Sequence, residues 1–278
     1  MKIALLQTPV SDDKEDNLST AEKYVKSAAG QGADIAVLPE MFCCSYANES
    51  FVKNAEPVSG KIWSFLSETA KLHGLYLVGG SIPELENGRI YNTSFVFDRS
   101  GKQIARHRKM HLFNVDIEGG QKFRESDTFS SGGGITLFDT EFGRFGLCIC
   151  FDMRFPELTR LMALGGAKMI IAPAAFNMTT GPMHWETMFR QRAVDDQVFT
   201  VGVSPARDES GVYVSYANSI LCSPWGTVLA RAEASPELIT AEIDFNEVER
   251  ARAQLPLLSA RREDVYALTP LATPLPGR

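Results

Sequence analysis

The most reactive feature of this sequence is a cysteine that closes an apolar run. Cys150 ends Gly146-Leu147-Cys148-Ile149-Cys150, and Phe151-Asp152-Met153-Arg154-Phe155-Pro156-Glu157 follows, with a helix expected from Pro156. A thiol at a strand-to-helix junction sits near free backbone N–H groups. These lower its pKa from a reference of about 8.5 and can hold an oxyanion. The other reading is a core cysteine, and it is the one we take for Cys148. Glu40 follows Val37-Leu38-Pro39 and precedes Met41-Phe42-Cys43-Cys44. A carboxylate in such apolar company has a raised pKa, which suits a general base; an N-cap or surface position is the alternative. Lys109, in His107-Arg108-Lys109-Met110-His111-Leu112-Phe113, offers a cation for charge developing on a carbonyl oxygen. On spacing alone a lone lysine is a solvated one. As a set, the thiol attacks, the carboxylate moves protons and the ammonium holds the oxyanion. Sequence order does not show that the three meet.

The elements that must position them alternate apolar runs with amphipathic stretches. In the first half, strands are expected at Lys2–Gln7, Asp34–Leu38, Leu75–Ile82 and Asn92–Phe97, with helices at Lys14–Ala29 and Lys61–His73. In the second half, strands are expected at Phe145–Cys150, Met169–Ala172, Phe199–Val203 and Leu238–Ile243. Helices fall at Pro156–Leu164, His184–Asp196 and Asn246–Gln254, and a hairpin joins Ser219–Cys222 to Val228–Arg231 around Pro224-Trp225-Gly226. Gly32-Ala33-Asp34-Ile35-Ala36-Val37-Leu38-Pro39 echoes Gly166-Ala167-Lys168-Met169-Ile170-Ile171-Ala172-Pro173. Each echo follows a strand and a helix, which suggests two sheets in a sandwich related by a pseudo-twofold. No linker divides the halves. We expect one domain over residues 1–268 and a Pro-rich tail over 269–278, either disordered or packed on a partner subunit.

Composition narrows the function class. The chain has 278 residues, 44% hydrophobic and 22% charged, with a formal net charge of −6. The cluster Arg106-His107-Arg108-Lys109 is too short for a nucleic-acid stripe, and on composition alone it reads as a surface turn. No apolar stretch approaches the roughly 20 residues that span a bilayer. Met1-Lys2 runs straight into Ile3-Ala4-Leu5-Leu6 with no secretory pattern, so a cytoplasmic protein is expected. The five cysteines lack disulfide-scaffold or zinc spacing, so neither a metal nor a cofactor is expected. No phosphate-binding glycine loop is present, since Gly132-Gly133-Gly134 precedes a strand. Cys43 and Cys44 read as buried lining near Glu40, and His107, His111 and His184 as structural histidines.

Three segments together resemble the nitrilase superfamily of carbon–nitrogen hydrolases: Leu38-Pro39-Glu40, Arg108-Lys109-Met110-His111-Leu112 and Cys150-Phe151-Asp152-x-Arg154-Phe155-Pro156-Glu157. The resemblance runs from Lys2 to about Leu268. It implies an α/β fold, a four-layer αββα sandwich that pairs into an αββααββα dimer. It also implies a catalytic set of Glu40, Lys109 and Cys150, with Glu125 as a second glutamate that orients them. Within the superfamily the chain is most similar to the omega-amidases. The matching stretches are His107–Phe113, Phe123-Arg124-Glu125-Ser126, Ala175–Trp185 and Ser204-Pro205-Ala206-Arg207-Asp208. The implied substrates are the terminal amides of 2-oxoglutaramate and 2-oxosuccinamate. Cys43-Cys44 depart from the Asn-Ser-Pro-Tyr usual there, although Tyr46 matches. The expected oxyanion hole is Lys109 with the Phe151 N–H. Arg154 is expected to bind the substrate carboxylate, with Tyr46 at the same end; an ion pair of Arg154 with Asp152 or Glu157 is the alternative. The expected partners are a small amide and a second copy of the chain, with no nucleic acid and no membrane. Rival readings are an amidase for deaminated glutathione, an N-carbamoyl amino acid or an aliphatic amide, and a non-catalytic binding protein on the same fold.

Overall fold

A computed structural model describes residues 1–270; the end of the expected tail, 271–278, lies outside the described residues. The elements of the first half are β1 (Lys2–Gln7), α1 (Lys14–Gly30), β2 (Ile35–Val37), α2 (Asn48–Asn54), α3 (Lys61–His73), β3 (Tyr76–Val78), β4 (Ile82–Glu86), β5 (Arg89–Phe97), β6 (Gln103–Arg108), β7 (Asn114–Asp116) and β8 (Lys122–Arg124). Those of the second are β9 (Thr136–Thr140), β10 (Gly143–Leu147), α4 (Pro156–Leu164), β11 (Met169–Pro173), α5 (Gly181–Asp196), β12 (Phe199–Val203), β13 (Ile220–Cys222), β14 (Val228–Arg231), β15 (Glu237–Glu242) and α6 (Asn246–Gln254).

Helix α1 shows how local chemistry sets these boundaries. The Asp13 carboxylate caps it by accepting from the Glu15 and Asp16 N–H groups, two of the donors a helix start leaves free. Leu18, Ala21, Val25 and Ala28 then recur at helical spacing and are buried. Helix α3 ends at Gly74, whose φ of 64° gives a left-handed cap.

Two main sheets form. The first runs β15-β1-β2-β3-β5-β4 with β6 on β5, and the second runs β14-β13-β12-β11-β10-β9. The strand period of two makes them a sandwich. Ile3, Leu5, Ile35 and Val37 point to a core shared with Phe145, Leu147, Met169, Ile171 and Val201. The alternate residues Ala4, Leu6, Ala36 and Leu38 meet the outer layer of α1 and α3. On the other side Ile170 and Ala172 pack with residues of α4 and α5. The layers are therefore αββα, as expected.

The expected pseudo-twofold is present in the topology. Strands β1, β2 and β3 are parallel neighbours, and so are β10, β11 and β12. An antiparallel strand flanks each trio at both edges: β15 and β5 in one sheet, β9 and β13 in the other. The two echoed segments carry β2 and β11.

Several boundaries differ from the sequence reading. The run Leu75–Ile82 divides into β3 and β4 around Gly79-Gly80. The basic cluster is not a surface turn. Arg106, His107 and Arg108 form the end of β6, and Arg106 and Arg108 pair with buried Glu84 on β4. Strand β10 stops at Leu147, so Cys150 is not a strand end but the first residue of a 3-10 turn, Cys150–Arg154.

Candidate active site

Each proposed reactive side chain is delivered by a backbone segment with little freedom. Glu40 follows β2 and Pro39, and its peptide neighbours are held by two hydrogen bonds: Ser81 N–H to Pro39 O at 3.3 Å, and Met41 N–H to Ser81 Oγ at 3.1 Å. Gly80 makes this approach possible. Its φ is +57°, and a Cβ there would stand 2.1 Å from Pro39 O. Lys109 extends β6. Its N–H donates to Asn92 O at 2.8 Å, and its carbonyl accepts from Gly132 N–H at 2.8 Å. Gly132 again permits the contact, because a Cβ would fall 2.1 Å from Arg108 O.

Cys150 has a φ of +48°, in the left-handed region that a residue with a Cβ occupies only under strain of about 1–3 kcal/mol. The turn lifts the thiol out of the line of β10. Asp152, two residues on, secures it. This fully buried carboxylate accepts through Oδ2 from His107 Nε2 at 2.9 Å and from the Ile149 N–H at 3.1 Å. Through Oδ1 it accepts from the Met110 and His111 N–H groups at 3.2 and 2.9 Å and from His111 Nδ1 at 2.8 Å. One side chain thus ties the segment carrying Lys109 to the turn carrying Cys150. Burial pushes the Asp152 pKa up, but the hydrogen bonds of His107 and His111 outweigh it and hold the carboxyl well below the usual range. His107 and His111, expected as structural histidines, both hydrogen-bond Asp152. The sequence marks Asp152 only as a possible partner of Arg154.

The structure brings Glu40, Lys109, Glu125 and Cys150 together. Lys109 Nζ donates to Glu40 Oε1 at 2.9 Å and to Glu125 Oε1 at 2.8 Å, and all three side chains are fully buried. Glu125 comes from a 3-10 turn after the β7–β8 hairpin, which the sequence reading did not foresee. Its other oxygen accepts from the Phe113 N–H at 2.6 Å, which closes the base of that hairpin. Asn92, also unforeseen, donates to Glu40 Oε1 at 2.8 Å. Glu40 Oε2 is buried with no hydrogen-bond partner among the described residues.

Electrostatics follow from burial and from the unequal count of two carboxylates and one ammonium. Burial raises the Glu40 pKa; Lys109 opposes this and Glu125 adds to it, with a net rise. Burial alone would lower the pKa of Lys109, but Glu125 and Glu40 reverse that and keep it a cation. The Cys150 thiol is not lowered as its place before a helix leads one to expect: burial pushes it well up, as does Glu40, while Lys109 and the Ala175 N–H pull it down by less. The resting thiol is therefore protonated beside a carboxylate able to take its proton.

Arg154 lines a small cavity with Cys150 and Phe151. The expected alternative, an ion pair with Asp152 or Glu157, does not form. Its Nη1 contacts His184 Nδ1 at 3.0 Å and its Nη2 donates to Thr180 Oγ1 at 3.1 Å. Among the described residues no carboxylate pairs with it, and Nε is buried without a partner. Tyr46 lies elsewhere: its hydroxyl donates to Glu125 Oε1 at 2.7 Å, and it lines a larger cavity that reaches Glu40.

A buried carboxylate and a buried ammonium in contact, with a cysteine thiol nearby, are the groups a hydrolase site needs. The carbon-nitrogen hydrolase profile matches residues 2–253. The omega-amidase NIT2 of Danio rerio is 45% identical over 267 residues, which is 96% of each chain. The omega-amidase NIT2 of Homo sapiens is 43% identical over 96% of this chain and 97% of that one. The crystal structure of Nit3 from Saccharomyces cerevisiae, described as a member of branch 10 of the nitrilase superfamily, superposes with a TM-score of 0.87. It is 40% identical over 95% of this chain and 96% of that one. The chain belongs to the carbon–nitrogen hydrolase family of the nitrilase superfamily. It is an enzyme, and its class is amidase. Among the described residues no helix is long and apolar enough to cross a membrane.

Proposed function

We propose that the protein hydrolyses the terminal amide of a small 2-oxo acid, such as 2-oxoglutaramate or 2-oxosuccinamate, through a Cys150 thioester. The observation that carries the substrate class is Arg154. A partly buried guanidinium without a carboxylate partner, in the same cavity as the thiol, matches a substrate with an amide at one end and a carboxylate at the other. The similarity to omega-amidases supports the same reading.

In this mechanism Glu40 takes the thiol proton as Cys150 Sγ attacks the amide carbon. The oxyanion is held by Lys109 Nζ and the Phe151 N–H. An ammonium has three donors. Two of those on Lys109 go to Glu40 and Glu125, and the third serves the oxyanion. Such a donor is worth about 3–4 kcal/mol. Glu40 passes its proton to the amide nitrogen, the C–N bond breaks and ammonia leaves. Water then attacks the thioester as Glu40 takes its proton; the C–S bond breaks, the proton returns to sulfur and the acid departs. Glu125 fixes Lys109.

The test is ammonia release from 2-oxoglutaramate, 2-oxosuccinamate, glutamine, an N-carbamoyl amino acid, deaminated glutathione and an aliphatic nitrile. Wild type, Cys150→Ala and Arg154→Lys are compared. Release from the two oxo-amides, lost in Cys150→Ala and with a raised KM in Arg154→Lys, is expected. Full activity in Cys150→Ala would end the thioester reading. An unchanged KM in Arg154→Lys would end the carboxylate role. Release from another amide would move the substrate.

A further inference from the structure

We propose that Tyr213 is a gate residue that decides which amides reach Cys150. Two cavities meet the catalytic residues and Tyr213 lines both. The larger, about 670 Å³, extends from Val10 and Lys53 to Glu40 and Tyr46. The smaller lies over Cys150 and Arg154 and measures about 10 Å³. That is room for about one water. An amide carrying a carboxylate does not fit it, so a wall must move before the carbonyl carbon comes to the thiol.

The other walls of the small cavity are anchored. Cys150, Phe151 and Arg154 belong to the turn held by Asp152, and Asn177 accepts from the Thr180 N–H at 2.9 Å. Tyr213 is different. It rides on a surface loop that begins with a local turn, where the Asp208 carboxylate accepts from the Ser210 N–H at 2.9 Å. The loop is fastened again at Ser215, whose hydroxyl meets Ser204 Oγ at 2.8 Å. Between them Val212 is 99% exposed. Among the described residues the only side-chain hydrogen bond made by Gly211–Val214 is that of the Tyr213 hydroxyl to Ala175 O. The ring also lies against Tyr46, 4.4 Å between centroids at 32°.

This single latch is placed where it bears on the chemistry. Ala175 accepts from Tyr213 through its carbonyl and lines the small cavity beside Cys150. Tyr46, the stacking partner, donates to Glu125. When the hydroxyl lets go of Ala175 and the ring turns toward the larger cavity, the two spaces join and a path opens from solvent to Cys150. The ring's return closes the site around the bound amide. The breadth of the opening then selects amides by their size beyond the carbonyl group.

The experiment measures access directly. Wild type, Tyr213→Phe and Tyr213→Ala are treated with limiting iodoacetamide, and alkylation at Cys150 and at Cys148 is followed by peptide mass. Removing the latch with the ring kept should speed Cys150 alkylation about fivefold, the equivalent of one net hydrogen bond. The alanine variant should exceed this and should raise kcat/KM for amides bulkier than the best wild-type substrate. Cys148 is fully buried and reports general loosening. Equal Cys150 rates in wild type and Tyr213→Phe, or a rise matched at Cys148, would overturn the gate. The selectivity claim rests on Cys150 as nucleophile; that reading fails separately, through an active Cys150→Ala protein, whereas the labelling result stands without it.

Discussion

Replacing Asp152 by Asn tests whether one carboxylate sets the distance between Lys109 and Cys150. Asn is nearly isosteric but keeps only one acceptor oxygen. With that oxygen in place of Oδ1, the bonds from Met110 N–H, His111 N–H and His111 Nδ1 survive. The new amide NH₂ then faces the two donors that Oδ2 accepted, His107 Nε2 and the Ile149 N–H. His107 has a way out. Its Nδ1 lies 3.0 Å from Thr136 Oγ1, so the tautomer with the proton on Nδ1 can accept from the amide. The Ile149 N–H, a backbone group one residue before the nucleophile, has none. A bond to a charged acceptor contributes about 1.5–3 kcal/mol, and an orphaned buried donor costs a similar amount. One bond lost outright and one weakened give a loss of about 2–4 kcal/mol, read by urea unfolding. Because the turn moves relative to Lys109, kcat should fall more than KM rises. The pH dependence has a defined sign. A depressed folded pKa contributes stability that is complete above the unfolded value of about 3.9 and is lost as pH falls through the folded value. The gap between wild type and variant should therefore be constant from neutral pH to about 4 and shrink below it. A loss under about 0.5 kcal/mol with unchanged kcat would refute the role given to Asp152.

Other outcomes follow from the same geometry. The acid limb of kcat/KM should lie above the ordinary glutamate value of about 4.3, because in the proposed mechanism Glu40 must be ionised to act and burial raises its pKa. Glu125→Gln removes a neighbouring negative charge and should move that limb down; an upward move would contradict the assignment. Gly80→Ala should cost more than about 2 kcal/mol in urea unfolding, since a left-handed alanine alone costs about 1–2 and the Cβ also meets Pro39 O. Tyr46→Phe deprives Glu125 of a donor and should lower stability by about 1–2 kcal/mol, with the kinetic effect in kcat.

The layers and the positions of Glu40 and Cys150 are legible in the sequence for a simple reason. Buried parallel strands are short apolar runs, and a reactive residue directly after one stands out from its neighbours. Lys109 does not stand out. Its strand β6 carries Arg106 and Arg108, which look solvated until Glu84 of β4, some twenty residues earlier, is placed beside them. Only the family resemblance lifts it above the other lysines. The positive φ of Cys150 is not visible either, because the residue type gives no sign of it and the turn is imposed by Asp152 and its partners. Asn92 read as one more strand residue, since only the folded sheet aims its amide at Glu40. Helix α2 escaped notice because few of its residues are buried, Phe51 and Asn54 among them, too little to print a helical period.

The pseudo-twofold has a consequence for what activity can report. The scaffold is duplicated, but the chemistry is not. The segment after β2 supplies Glu40, while its counterpart after β11 supplies only Ala174 and Ala175. The turn after β10 supplies Cys150, while the chain after β1 offers Thr8-Pro9-Val10. In the proposed mechanism the base and the cation therefore belong to one sheet and the nucleophile to the other. On that mechanism a chain whose two sheets had not yet packed on their shared core would turn over nothing. Recovery of ammonia release during refolding is thus a clock for the docking of one sheet on the other, separate from the formation of either.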